Sequence, residues 1–120
     1  MSPYPARRAL YRVPVSDPTH QVIIQFPETS FPDFDAMIGF EDMLIEVLGD
    51  RHQVDGHDFG SGQVNFFVFT NDPEAAFRQI RQGTGDWLAW PNVRAAARPI
   101  DGEDYESLWP VGETSPFTII

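Results

Sequence analysis

His52, Asp55, His57 and Asp58 fall within the seven residues HQVDGHD, and imidazole with carboxylate is a donor set suited to zinc, iron or manganese. On an extended strand Asp55 and His57 share one face, and His52 and Asp58 share the other. Each face then has two ligands, and a third would have to come from elsewhere, from His20 or Glu28. The spacing matches no closed zinc set, and the alternating acidic loop of an EF-hand is absent. Without Cys the chain has no thiolate or disulfide chemistry.

The glycines that follow, Gly60-Ser61-Gly62, invite comparison with a phosphate-cradling loop. Such loops follow a strand and open a helix, so that the helix N-terminus meets the anion. These precede the strand-like run QVNFFVFT, and the chain has no Lys for a Walker loop. A hairpin turn that needs positive φ accounts for the glycines. Ser61 beside His57 has the residue types of a nucleophile and a base, but no oxyanion hole or orienting third group is legible. Asn65 is out of place in a run of Val and Phe, where Asn is disfavoured. Its amide is expected to pin the loop that runs from Asp55 to Gly62; the alternative is a polar contact on an open sheet face. Asp55, His57 and Asn65 thus form the candidate polar site, with no catalytic residue, metal set or cofactor assigned.

The elements that would position these residues can be read from period and punctuation. HQVIIQF (20–26) is a β-branched run suited to burial on both faces. Phe34, Met37, Ile38, Leu44, Ile45 and Leu48 recur at helical spacing, which predicts a helix over 32–48. Ser30 and Asp33 resemble a capping box, Pro32 sits in the first turn, and Gly49 is the stop. Asp35, Glu41, Asp42 and Glu46 decorate the rest of that helix. Strands are predicted over 51–59 and 63–70, joined by the GSG turn. A second helix starts at Asp72 (N-cap), Pro73 (N1) and Glu74, carries Ala76, Phe77 and Ile80 inward, and ends at Gly83. A last strand falls near 93–98, and the tail DYESLWPVGETSPFTII adds an edge strand or packs as coil. Upstream, 1–7 reads as a flexible arm and ALYRVPV (9–15) as an edge strand, the position that tolerates Pro14.

This order is βαββαβ, the pattern of a ferredoxin-like α+β sandwich with two helices on one face of an antiparallel sheet and an extra N- or C-terminal edge strand. In QVNFFVFT, Val64, Phe66 and Val68 point one way, and Asn65, Phe67 and Phe69 the other. The second face needs a cover, and the candidates are the N-terminal strand, the tail with Trp109, a second subunit or a foreign partner. Trp87, Trp90 and Trp109 read as core lids, or as anchors where exposed.

A chain of 120 residues with 42% apolar and 22% charged residues is expected to form one globular domain. It carries 18 acidic residues against eight basic ones, all Arg, for a net charge of −10. That field repels nucleic-acid phosphate and anionic membranes, and it steers a basic protein inward. RNA-binding sandwiches stack bases on sheet aromatics such as Phe67 and Phe69, but they also carry a basic surface. No secretory h-region and no membrane-length apolar run is present, so a cytoplasmic location is expected.

DGHDFGSGQVNFFVFTNDPEAAF and the later DYESLWP resemble a group of small bacterial proteins without an established activity. Their shared pattern is D-G-x-x-x-G-x-G-x-x-N-x-F, then D-P before a helix and W-P near the C-terminus. The resemblance covers about half the chain, implies a compact α+β domain and brings no functional residues. By analogy it suggests an immunity-type protein that neutralises a toxin. The leading expectation is a non-catalytic protein-binding domain that uses the acidic helix face (Asp35, Asp42, Glu46) or the aromatic sheet face (Phe67, Phe69). The alternatives are a small enzyme or metal protein built on His57 and Asp55, and a homodimer that closes Phe67 and Phe69 over a ligand pocket.

Overall fold

The computed structural model describes residues 17–85 and 92–119. The expected arm (1–7), the edge strand 9–15, Trp87 and Trp90 lie outside them. The described elements run β1 (His20–Pro27), a single 3-10 turn (Glu28–Ser30), α1 (Phe34–Leu48), β2 (Gln53–Gly60), β3 (Gln63–Thr70), α2 (Pro73–Gly83), β4 (Arg94–Pro99) and β5 (Glu106–Trp109). The strands form one antiparallel sheet in the order β2-β3-β1-β4-β5.

Local chemistry explains the boundaries. The Asp33 side chain accepts the Ala36 N–H at the start of α1, and Gly49 ends the helix at φ 60°, a value that favours Gly. Ser30 does not share the capping: it closes the 3-10 turn before the helix, so the expected capping box reduces to Asp33 alone. Asp72 accepts the Ala75 N–H and Pro73 occupies the first turn of α2, as the sequence suggested. Gly83 is the last helical residue, with Thr84 as C-cap, and its role is steric. A Cβ there would lie 2.5 Å from Cγ1 and 2.9 Å from Cγ2 of Val47, so its missing side chain lets α2 approach α1. Gln79 joins the two helices by donating to the Val47 carbonyl at 2.8 Å.

The turn between β2 and β3 has Ser61 and Gly62 at φ 54° and 84°. Positive φ at both central residues is the type I′ geometry that matches strand twist. The Gly62 carbonyl also accepts the Glu28 N–H at 2.8 Å, which ties the hairpin tip to the exit of β1.

Alternation along the central strands splits the core in two. Val22, Ile24 and Phe26 of β1, Val64, Phe66 and Val68 of β3, and Ala95 and Ala97 of β4 pack with Met37, Phe40, Leu44 and Leu48 of α1 and with Ala76, Phe77 and Ile80 of α2. Both helices therefore cover one face. Phe26 meets Phe31, Phe40 and Phe66 edge-on at 5.0–6.0 Å between ring centres, a favoured aromatic arrangement. On the opposite face Ile23, Ala96 and buried Phe117 pack with Phe67, Tyr105 and Ile119.

The C-terminal tail thus does two jobs. Glu106–Trp109 extends the sheet beside β4, and the segment after it crosses the face away from the helices. Gln25 Nε2 donates to the Thr118 carbonyl at 2.9 Å and Arg94 to the Ser115 carbonyl at 3.0 Å, while the Arg94 guanidinium lies 5.6 Å from the Phe117 ring centre. Trp109, expected among the covers of this face, packs on the helix side instead. It lies against Phe77 with ring centres 6.3 Å apart, and the Arg81 guanidinium sits 4.9 Å above it.

Candidate functional site

The polar residues singled out in the sequence do not converge as strand parity alone suggests. The β2–β3 register shifts between Val54 and Gly56, so Asp55 is an extra residue in β2. Such a bulge inverts the alternation beyond it. His57 consequently turns to the helix face with Val54, opposite Phe66, while Asp55 remains exposed. The expected Asp55–His57 pair is therefore corrected: Asp55 is the unpaired, exposed residue of the bulge, and the carboxylate that His57 meets is a different one.

The carboxylate that meets His57 comes from α1. Glu41 Oε2 lies 3.1 Å from His57 Nδ1. Glu41 falls on the inward stripe that also carries Met37, Phe40, Leu44 and Leu48, and it is only 2% exposed. The sequence reading placed it among the outward acidic residues, yet position 41 follows Met37 by four and precedes Leu44 by three, the spacing of a core face. A carboxylate buried there needs hydrogen-bonding partners, and His57 is one. The imidazole remains a quarter exposed at its side chain. It sits 6.3 Å from the Phe66 ring centre and 6.2 Å from that of Phe34, which is itself 58% exposed. Buried carboxylate, half-buried imidazole and exposed aromatic rim form the candidate site. The carboxylate fixes the ring and leaves Nε2 for a proton or a ligand. Among the described residues no hydroxyl side chain is hydrogen-bonded to His57, whose ring is oriented by the Glu41 carboxylate.

Asn65 is buried, but its Oδ1 accepts from Gln25 Nε2 at 3.0 Å, the same amide that holds the Thr118 carbonyl. It braces the C-terminal tail across the sheet, where the sequence reading expected it to pin the loop from Asp55 to Gly62. His20 meets the Thr19 hydroxyl at 2.8 Å. Among the described residues no group of three or more His, Asp or Glu side chains is placed to hold a metal ion.

His52 belongs to a separate network. Its Nδ1 lies 2.7 Å from the Thr70 hydroxyl, which also accepts the Asp72 N–H at 2.9 Å. Thr70 is fully buried, so its hydroxyl proton needs an acceptor, and His52 Nδ1 is in position. The neutral ring then carries its own proton on Nε2. Burial, with Arg51 adding to it, holds His52 below the ordinary imidazole value of 6.5, against an opposing pull from Asp72.

Asp35 and Glu46 are exposed and Asp42 is half-buried. They follow one another along α1 at intervals of seven and four residues, which places them on one stripe. Phe67 lies half-buried against the tail, and Phe69 is half-buried on the same strand. No protein-family model matches the chain, and searches of curated proteins and solved structures gave no match either. What the fold and site define is thus an α+β domain with a five-stranded antiparallel sheet, two helices on one face and a histidine–carboxylate pair at its edge strand.

Proposed function

We propose that this chain is a non-catalytic, acidic protein-binding domain, an immunity-type or other regulatory partner in the bacterial cytoplasm, and that it docks through the outer side of α1. The observation that carries this reading is the pairing of exposed Phe34 with the Asp35–Asp42–Glu46 stripe on a single helix. An exposed aromatic anchor beside charged groups is a favourable interface composition. The net charge of −10 supports steering of a basic partner. The resemblance read from the sequence suggests an immunity-type role by analogy only, and the tail already covers the Phe67 side of the sheet. We also read the arrangement as a ferredoxin-like sandwich. The βαββαβ element order and the adjacency β2-β3-β1-β4 support this, with β5 as an added edge strand. Among the described residues no helix is long and apolar enough to cross a membrane.

The test is partner capture from native lysate with wild type and with a variant carrying Asp35→Asn, Asp42→Asn and Glu46→Gln. A basic protein held at low salt, released at high salt and lost both in that variant and in Phe34→Ala supports the reading. Capture that is unchanged in both variants refutes α1 as the contact surface.

A second reading rests on His57, now with Glu41 in place of Asp55 as its oriented carboxylate: a small enzyme or metal protein. Elemental analysis of untagged protein addresses the metal form. Stoichiometric zinc, iron or manganese, lost in His57→Gln, favours it; a metal-free protein with unchanged melting in chelator removes it.

A further inference from the structure

An open groove of about 580 Å³ lies between the segment that follows α1 and one side of α2, lined chiefly by Arg51, His52, Asp72, Arg78, Gln79 and Gln82. Two of the eight Arg residues of an acidic chain meet here. Both are exposed, and neither is in an ion pair among the described residues. Arg51 lies three residues beyond the last helical residue of α1, where a cation also complements the helix dipole; Arg78 lies mid-helix in α2, and among the described residues it makes no ion pair. The groove contains one carboxylate, Asp72, and its Oδ1 already accepts the Ala75 N–H at 3.1 Å. The His52 ring is largely buried and held at Nδ1 by Thr70, and it lines the groove with Nε2 as its second polar atom. The Gln79 amide is committed to the end of α1, whereas Gln82 is exposed on the same side of α2.

We propose that this groove binds a small phosphorylated molecule through its phosphoryl group, held by the Arg51 and Arg78 guanidiniums and the Nε2–H of His52. Guanidinium forks match phosphate oxygens in geometry as well as charge, and two of them suit a dianion better than a single carboxylate. The overall negative charge does not forbid this, because charges beyond the Debye length of about 8 Å are largely screened at physiological ionic strength. The site is separate from the outer stripe of α1 and from His57, and it does not depend on either functional reading.

The experiment is a titration of ¹⁵N-labelled protein with inorganic phosphate at constant ionic strength and pH 7.4, with acetate as the carboxylate control, followed by NMR. Expected are saturable shifts at the Arg51, His52 and Arg78 signals with phosphate, and none with acetate. Arg51→Gln or Arg78→Gln should raise the dissociation constant about tenfold or more, as loss of a charge-assisted hydrogen bond implies. Arg81→Gln, which removes one positive charge from α2 outside the groove, should leave it unchanged. Both groove arginines are exposed, so the variants are expected to keep the wild-type spectrum elsewhere. Linear, unsaturable shifts overturn the proposal, as do equal responses to acetate or equal weakening by Arg81→Gln. A response in wild type that centres away from His52 overturns it without recourse to any variant.

Discussion

His57 Nδ1 meets Glu41 Oε2 at 3.1 Å across the gap between an edge strand and a buried helix face. One extra residue in β2, Asp55, makes this contact possible by turning His57 from the tail face to the helix face. The pair links the element that carries the acidic stripe to the edge of the sheet. A partner pressing on α1 at Phe34 would therefore also meet the His57 ring, because the two ring centres lie 6.2 Å apart.

His57→Ala removes one hydrogen bond from a carboxylate that is almost wholly buried. A loss of about 1–3 kcal/mol is expected, the usual range for weakening a buried polar group's bonding, measured by urea unfolding at pH 7. Asp55→Ala, on the exposed bulge, should cost less than about 0.5 kcal/mol. Equal losses in the two variants would contradict the geometry.

Gly83→Ala should destabilise the protein, although Ala normally improves a helix by about 1 kcal/mol over Gly. The new methyl would meet Val47 at Cγ1, Cγ2 and Cβ, at 2.5, 2.9 and 3.2 Å, so rotating the valine does not relieve all three contacts. Overpacking of this kind costs about 1–3 kcal/mol. Val47→Ala in the same chain should recover most of that loss, and a double-mutant cycle in chemical denaturation measures the coupling.

Phe117→Ala strips the cover from Ile23 and Ala96. A cost of about 3–5 kcal/mol is expected for loss of a buried Phe side chain. The uncovered sheet face should also promote self-association, visible as a concentration-dependent mass in light scattering. Wild type at the same concentrations provides the reference.

His52 gives a pH dependence whose sign is fixed by its environment. The folded protein favours the neutral ring, chiefly because of burial, so protonation is easier in the unfolded chain. Its contribution to stability is complete above the unfolded value of about 6.5 and falls away as pH drops towards the lower folded value. Urea unfolding of wild type and His52→Gln between pH 5 and 8 isolates it. The stability difference between the two should shrink as the solution is acidified, and a difference independent of pH would contradict the burial of this ring.

The helices and the hairpin were legible because their signals are local. Asp33 and Asp72 offer caps to the next turn of chain, Pro73 fits only a first turn, and Gly62 permits a positive φ, all within a few residues of sequence. The inward side of β3 followed from alternation alone. Glu41 was misplaced because charge spoke for solvent, although its spacing from Met37 and Leu44 spoke for the core; that spacing was the available signal. Asp55 and His57 were paired because nothing local in VDGHDF announces a bulge, which arises from how β2 registers against β3.

The sequence by itself determined the caps of both helices at Asp33 and Asp72, the hairpin turn before Gln63, the alternation of β3 and the strongly acidic charge, since these depend on short-range propensity and on composition; the start of α1 at Phe34 rather than at Pro32, and the strand at Glu106–Trp109 where the tail could equally have packed as coil, did not follow from it. Only the tertiary structure decided which carboxylate meets His57, what covers the second face of the sheet, and that Arg51, Arg78 and His52 line one groove. Those arrangements bring together residues 16, 94 and 27 positions apart (Glu41 and His57 in a hydrogen bond, Ile23 and Phe117 in one core cluster, Arg51 and Arg78 on one groove). The physical reason is that strand register and helix docking bring such residues together, and no local spacing rule encodes either.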